Sequence, residues 1–153
     1  MALQKKELAV AALRNGTVID HIPSQMLFKC VNILGLQRLG TQLTIGNNLE
    51  SGKLGTKGII KVADTFFPDA VLNRIAYLAP SAVINIINEY EVVEKRKVEL
   101  PATVVGIVKC DNPKCITNNE PMLTRMEVLD AETGEVRCHY CNHTTNRLKA
   151  NLL

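Results

Sequence analysis

The chain contains no tryptophan, and aromatic residues make up only 4% of its 153 positions, so any core must be aliphatic. No uninterrupted apolar run approaches the roughly 18 residues that a membrane-spanning helix requires, which argues against a helical span. A secretory leader is not evident either. The apolar run after Lys5 and Lys6 covers 8–13, short of the roughly 7–15 residues of a leader core. Arg14-Asn15-Gly16 then offers no small-residue cleavage pattern. These features predict a cytoplasmic protein without membrane association. A strong charge excess is lacking too: 18 basic and 15 acidic side chains leave +3. That balance is too small for a bulk nucleic-acid footprint. All of the excess lies in residues 1–100, with 12 Lys/Arg against 9 Asp/Glu; residues 101–153 carry six of each.

What is present is a 46% hydrophobic content, enough for a packed core, and an uneven cysteine distribution. Four of the five cysteines fall in the last 44 residues, as Cys110-x4-Cys115, 22 intervening residues, then Cys138-x2-Cys141. Two close pairs on separate loops can converge on one tetrahedral metal. Four thiolates around a divalent zinc would close the coordination sphere, so one Zn2+ is expected here in a structural role. Lys109, Lys114 and Arg137 flank the ligands, where cations lower thiol pKa values. The rival readings are a disulfide pair, disfavoured by the odd cysteine count, and a redox Cys-x-x-Cys, disfavoured by the absence of a βαβ surround. His139 and His143 are nearby spare ligands, more easily read as surface residues. Cys30 shares a helical face with Leu27, Val31 and Leu34 and reads as a core thiol.

Hydrophobic periodicity maps residues 1–100. Strands are expected at 17–22, 42–46 (Leu43 and Ile45 inward), 58–62, 83–87 and 90–93. Helices are expected from Pro23-Ser24 to Gly35 and from Pro68-Asp69 to Pro80. The last two strands would join near Asn88-Glu89, and the charged run 94–99 would lead into a linker at Leu100-Pro101. The order βαββαββ predicts an α+β fold: a ferredoxin-like antiparallel sheet with two helices and an added strand. A small all-β zinc-ribbon-like domain would follow. The expected domains are 1–100 and 101–153.

Two motifs need chemical scrutiny. Lys61 and Lys95, at strand ends, could share one phosphate group, against the plain reading of a solvated basic face. Asp20-His21 on the first strand alternates faces, so it is not a catalytic dyad by default. The segment from Gly46 to Lys53 imitates a phosphate-binding loop, but five residues separate its glycines and Leu54 lacks the hydroxyl that magnesium needs.

The stretch 14–23 (Arg-Asn-Gly-Thr-Val-Ile-Asp-His-Ile-Pro) resembles the opening of the aspartate carbamoyltransferase regulatory chain. So do Leu43-Thr-Ile-Gly46, Lys57 to Lys61, Asn88-Glu-Tyr-Glu-Val-Val93 with Lys95, the Cys110–Ile116 segment, Glu120-Pro121 and Cys138-x-Tyr140-Cys141. The resemblance covers almost the whole chain in order. It implies a non-catalytic allosteric subunit in pyrimidine biosynthesis. The amino-terminal domain would bind CTP and ATP, with UTP acting beside CTP in some members, and pair with a second copy. The zinc domain would contact catalytic chains. The family's nucleotide site carries over onto Val10, Ala12, Leu13, Asp20, His21, Lys61, Asn85, Ile87, Tyr90, Val92 and Lys95. In that reading Val10, Ala12 and Leu13 line the base, Asp20 accepts from ribose, Lys61 touches base and ribose, and Lys95 touches phosphates. The chain departs from the family form at Glu7, Ala11 and Lys114, and its loop between cysteine pairs is one residue shorter. A zinc-ribbon nucleic-acid-binding protein is the alternative. It fits poorly with a zero-charge carboxyl-terminal part whose one aromatic is Tyr140.

Overall fold

The computed structural model describes residues 12–52 and 54–153. The chain divides after Val98 into two units. The first contains β1 (Gly16–Pro23), α1 (Leu27–Ile33), β2 (Leu43–Ser51), β3 (Gly55–Ala63), a single helical turn α2 (Asp69–Leu72), β4 (Val83–Asn88) and β5 (Glu91–Lys97). The strands form one antiparallel sheet in the order β2-β3-β1-β4-β5. The first four follow the split-βαβ order of ferredoxin-like folds, and β5 is the added edge.

Strand register sorts the side chains into two sets, because successive residues alternate faces. One cross-strand row runs Ile45, Ile60, Ile19, Ile84, Arg96. Its central three isoleucines are at most 1% exposed and form the core under the helices. Full burial of each contributes about 1.5–3 kcal/mol. Leu27 of α1 lies directly over β3: a Cβ on Gly58 would sit 2.8 Å from Leu27 Cδ1, so any larger residue there would displace the Leu27 side chain. At the other end of the row, Arg96 pairs with Asp69 of α2.

Three local expectations change, and a fourth is met only in part. Ile45 lies on the core face in register with Ile60 but is 37% exposed, because β2 is an edge strand with a partner on one side only. The expected long second helix is a four-residue α turn followed by a 3-10 turn, Asn73–Ile75. Ile75 to Ala79 are all buried, which leaves no polar stripe for an amphipathic helix. The charged run 94–97 belongs to β5, since charge suits an exposed edge strand. The β4–β5 turn is centred on Glu89-Tyr90, one residue later than expected, with positive φ at both (47° and 66°). That is the pattern of a two-residue hairpin whose twist matches its strands.

The second unit is a four-stranded antiparallel sheet, β6 (Thr103–Val105), β7 (Arg125–Asp130), β8 (Glu135–Cys138) and β9 (Thr144–Thr145), in sequential order. Its core is Val104, Val108, Met126, Val136 and Ala150 together with Cys110, Cys115 and Cys138. So small a unit has little apolar surface to bury and needs a crosslink. Buried Arg147 donates to the Ala131 and Glu132 carbonyls at 2.9 and 2.7 Å and closes the β7–β8 turn. Among the described residues no helix is long and apolar enough to cross a membrane.

Candidate functional site

In the second unit the sulfurs of Cys110, Cys115, Cys138 and Cys141 all lie within 4.8 Å of one another. The Cys110–Cys141 and Cys115–Cys138 separations are 3.5 and 3.6 Å. A tetrahedron with metal–sulfur bonds of about 2.3 Å has edges of about 3.8 Å, so the sulfurs already stand near ligand positions. Four thiols are soft donors, which suits a thiophilic metal. Burial pushes the Cys110 and Cys138 thiols up from their ordinary range. Burial also opposes ionisation of Cys115, but hydrogen bonds from the Thr117 hydroxyl and backbone N–H and from neighbouring thiols outweigh it, and its pKa falls to about 7. The cluster thus contains one thiol disposed to ionise, and a divalent cation would draw the others after it.

Both loops are held from outside the sulfurs. The Cys115 N–H donates to the Asn112 carbonyl at 3.0 Å, and the Lys114 N–H to the Asn112 side chain. Asn118 donates to the Cys110 and Asn112 carbonyls at 2.9 and 2.7 Å. Asn119 donates to the Cys115 and Pro113 carbonyls. In the second loop Asn142 adopts φ 65° and its N–H donates to the Cys138 carbonyl at 2.9 Å. These asparagines are not among the residues that sequence reasoning singles out; the Asn118-Asn119 pair just after Cys115 is the available signal. His139 is engaged elsewhere: its Nδ1 lies 3.2 Å from Glu127, which also accepts from Arg137 at 2.7 Å. Hydrogen bonds from Arg137 and His139 hold the Glu127 carboxyl below its usual range. Buried Cys30 lies in the first unit, where desolvation raises its thiol to about 12.

In the first unit the register opposite the isoleucine row reads Thr44, Lys61, Val18, Asn85, Lys95 across all five strands. Lys61, Asn85 and Lys95 therefore share one sheet face. Neighbouring strands lie about 4.8 Å apart, so the three steps from β3 to β5 separate Lys61 from Lys95 by about 14 Å at their Cα atoms. The two lysines suit opposite ends of an elongated ligand; extended toward each other, their long side chains could also meet on one phosphate group. A bulge between Ile86 and Ile87 sets Val92 opposite Ile87, so Val92 joins Lys95 on this face despite their odd spacing.

A second bulge falls between Ile19 and Ile22 of β1. His21 takes φ 58° there, its N–H donates to the Asp20 carboxylate at 2.6 Å, and its Nδ1 is buried with no hydrogen-bond partner among the described residues. The simple alternation expected for Asp20 and His21 breaks at this bulge. Asp20 pairs with Lys57 at 2.9 Å, both side chains about one-fifth exposed. Lys57 is not among the expected site residues; its four-residue spacing from Lys61 on one strand, an even number, is the signal that they share a face.

At one end of the sheet β1 begins, β3 ends and β4 turns into β5. A cavity of about 340 Å³ opens there, with Ala12, Leu13, Lys61 and Tyr90 in its lining. Its frame is a set of backbone ties. The Tyr90 N–H donates to the Arg14 carbonyl and the Asp64 N–H to the Asn15 carbonyl, both at 2.9 Å. The Glu89 N–H donates to the Asn15 side chain at 3.0 Å. Gly16 makes this crossing possible: it has φ 142°, and a Cβ would fall 2.1 Å from the Val62 carbonyl oxygen. Asp20, His21, Asn85, Ile87, Val92 and Lys95 stand outside the cavity lining. Val10, Glu7 and Ala11 lie outside the described residues.

Comparison with known proteins agrees with both units. Residues 8–99 match the family model of the aspartate carbamoyltransferase regulatory chain, allosteric domain, and residues 102–151 match that of its metal binding domain. The regulatory chain of Parabacteroides distasonis is 57% identical over 146 residues, covering 95% of each chain. That of Phocaeicola vulgatus is 56% identical over 153 residues, covering 100% of this chain and 99% of the relative. The Pyrococcus horikoshii regulatory chain is 48% identical over 140 residues, covering 90% and 92%. With most of its length matched in two consecutive domains, the chain belongs to the family of aspartate carbamoyltransferase regulatory chains, which are non-catalytic subunits.

Proposed function

We propose that this chain is the effector-sensing subunit of a cytoplasmic aspartate carbamoyltransferase, binding CTP and ATP on its first unit and docking catalytic chains through its second. The observation that carries the nucleotide reading is the cross-strand row from Lys61 through Asn85 to Lys95. The row offers cationic groups about three strand spacings apart, with Asp20 on the same face to accept from ribose hydroxyls. Asp20 is already aligned by Lys57. Lys95 would take the phosphates, Lys61 the base and ribose, and Leu13 and Tyr90 the base. Val10, Ala12, His21, Asn85, Ile87 and Val92 would complete the site.

The metal is proposed to be one Zn2+, held by Cys110, Cys115, Cys138 and Cys141. The near-tetrahedral sulfur spacing supports this fit. Such a metal supplies a crosslink and no open coordination position. The chain's own part is to hold the four ligands through Asn118, Asn119 and Asn142, and so to keep a docking surface for the catalytic chain rigid. Regulatory chains would pair through their first units and bridge catalytic trimers.

Allosteric control follows from differential affinity. A nucleotide shifts the enzyme only insofar as its affinity differs between two quaternary states. Couplings of this kind are typically about 1–3 kcal/mol. The test of effector binding is a calorimetric titration of the full metal-loaded chain with CTP. The expected result is saturable binding near one nucleotide per chain. Absence of binding at millimolar CTP would overturn the effector reading.

A further inference from the structure

Lys95 stands on a strand that its sheet holds from one side. β5 pairs with β4 alone, and the ladder between them is interrupted by the bulge at Val93, two residues before Lys95. A bulge disrupts pairing and bends its strand. Ladder hydrogen bonds therefore fix the roll of β5 about its own axis only weakly. That roll sets the direction in which Lys95 points.

The next residue supplies a hold on the other face. Successive strand residues point to opposite faces, so Arg96 faces the helices while Lys95 shares the face of Lys61 and Asn85. Arg96 lies opposite Ile84 in register, and its guanidinium pairs with the Asp69 carboxylate. Asp69 opens α2. That turn is anchored, since Leu72 at its end and Ile75 just beyond are buried. The Arg96 side chain is 30% exposed and that of Asp69 72%, so the pair closes over the rim of the core. A second carboxylate, Glu94, stands 3.7 Å from the same guanidinium nitrogen. Glu94 belongs to β5 itself, so its pairing ties the strand to nothing else. The Asp69 contact, unlike it, crosses from strand to helix.

We infer that Asp69 and Arg96 are positioning residues for effector phosphates: their ion pair fixes the roll of β5 and so aims Lys95. The inference rests on the nucleotide reading above, and it gives neither residue a contact with the nucleotide. Two carboxylates beside one cation separate position from charge. By charge alone, removing either carboxylate makes the surroundings of Lys95 more positive and strengthens binding of a polyanion. By position, removing Asp69 frees β5 and weakens that binding, while removing Glu94 does not.

The experiment measures CTP and cytidine affinities for the full metal-loaded chain by calorimetry. The variants are Asp69→Asn, Asp69→Glu, Glu94→Gln, Arg96→Gln and the double variant Asp69→Asn with Arg96→Gln. Exposed ion pairs are weak, so the expected change is small but has a definite sign. Asp69→Asn should weaken CTP roughly two- to fivefold and leave cytidine, which has no phosphate, unchanged. Asp69→Glu keeps the carboxylate and should retain the wild-type affinity. Glu94→Gln should leave CTP binding unchanged or tighter. Arg96→Gln should weaken CTP, and adding Asp69→Asn should cost nothing further, because the partner is already gone. Hydrogen exchange across 91–97 should speed up in Asp69→Asn and not in Glu94→Gln. CTP binding unchanged or tightened in Asp69→Asn, an equal loss in Glu94→Gln, or an equal loss of cytidine overturns the positioning role and leaves the effector site standing. Failure of the wild type to bind CTP overturns both.

Discussion

If Lys61 and Lys95 grip opposite ends of one nucleotide, removing each should leave a different signature. The structure sets them about 14 Å apart at Cα, three strand spacings of about 4.8 Å. With the two side chains extended away from each other, the ammoniums reach different ends of the ligand. A hydrogen bond from a charged donor contributes about 1.5–3 kcal/mol. At about 1.4 kcal/mol per tenfold, Lys95→Ala should weaken CTP roughly 10- to 150-fold. The same variant should leave cytidine, which has no phosphate, within about twofold of wild type. Lys61→Ala should weaken cytidine and CTP by similar factors. Lys95 is exposed, so its contribution should shrink with salt, because the screening length falls from about 8 Å at 0.15 M to 3 Å at 1 M. Calorimetric titration of the two variants with both ligands, at both salt concentrations, supplies the comparison. Equal losses of cytidine and CTP in Lys95→Ala, or a Lys61→Ala loss confined to CTP, would refute the end-to-end assignment.

Three further outcomes are expected. Chelation should unfold the second unit, seen as lost protection from hydrogen exchange across 103–145 while β1, β3 and β4 stay protected, and should release active catalytic trimers that ignore CTP. Asn118→Ala removes donors to two loop carbonyls and should lower metal affinity about tenfold or more in chelator competition. Gly16→Ala forces a Cβ to within 2.1 Å of the Val62 oxygen; urea titration should show a loss of about 3 kcal/mol with an unchanged slope.

The thiol cluster and the sheet order are legible in the amino-acid sequence for different reasons. Cysteine spacing is itself the chemical constraint, so Cys110, Cys115, Cys138 and Cys141 group together on spacing alone. The strands show through short β-branched apolar runs at 17–22, 58–62 and 83–87. The second helix does not, because Ile75 to Ala79 are buried on every side and burial without alternation carries no period. The bulges at His21 and Val93 are invisible as well, since a single extra residue leaves no compositional mark. Their consequence is large: one breaks the Asp20–His21 alternation, the other brings Val92 onto the Lys95 face. The relation of Lys61 to Lys95 needs the register, which depends on pairing between strands distant in sequence. Asn118 and Asn119 act through loop carbonyls, and nothing in a residue's identity says which carbonyl it will meet.

The most direct test joins this chain to its catalytic partner. The metal-loaded chain is assembled with catalytic chains, and the rate of carbamoyl transfer at sub-saturating aspartate is followed as CTP is added. The account predicts a saturable change of roughly 5- to 150-fold in apparent aspartate affinity, the range set by a coupling of about 1–3 kcal/mol. The response should be weakened by Lys95→Ala and absent from catalytic trimers alone. An assembled complex whose rate is indifferent to saturating CTP would contradict the account.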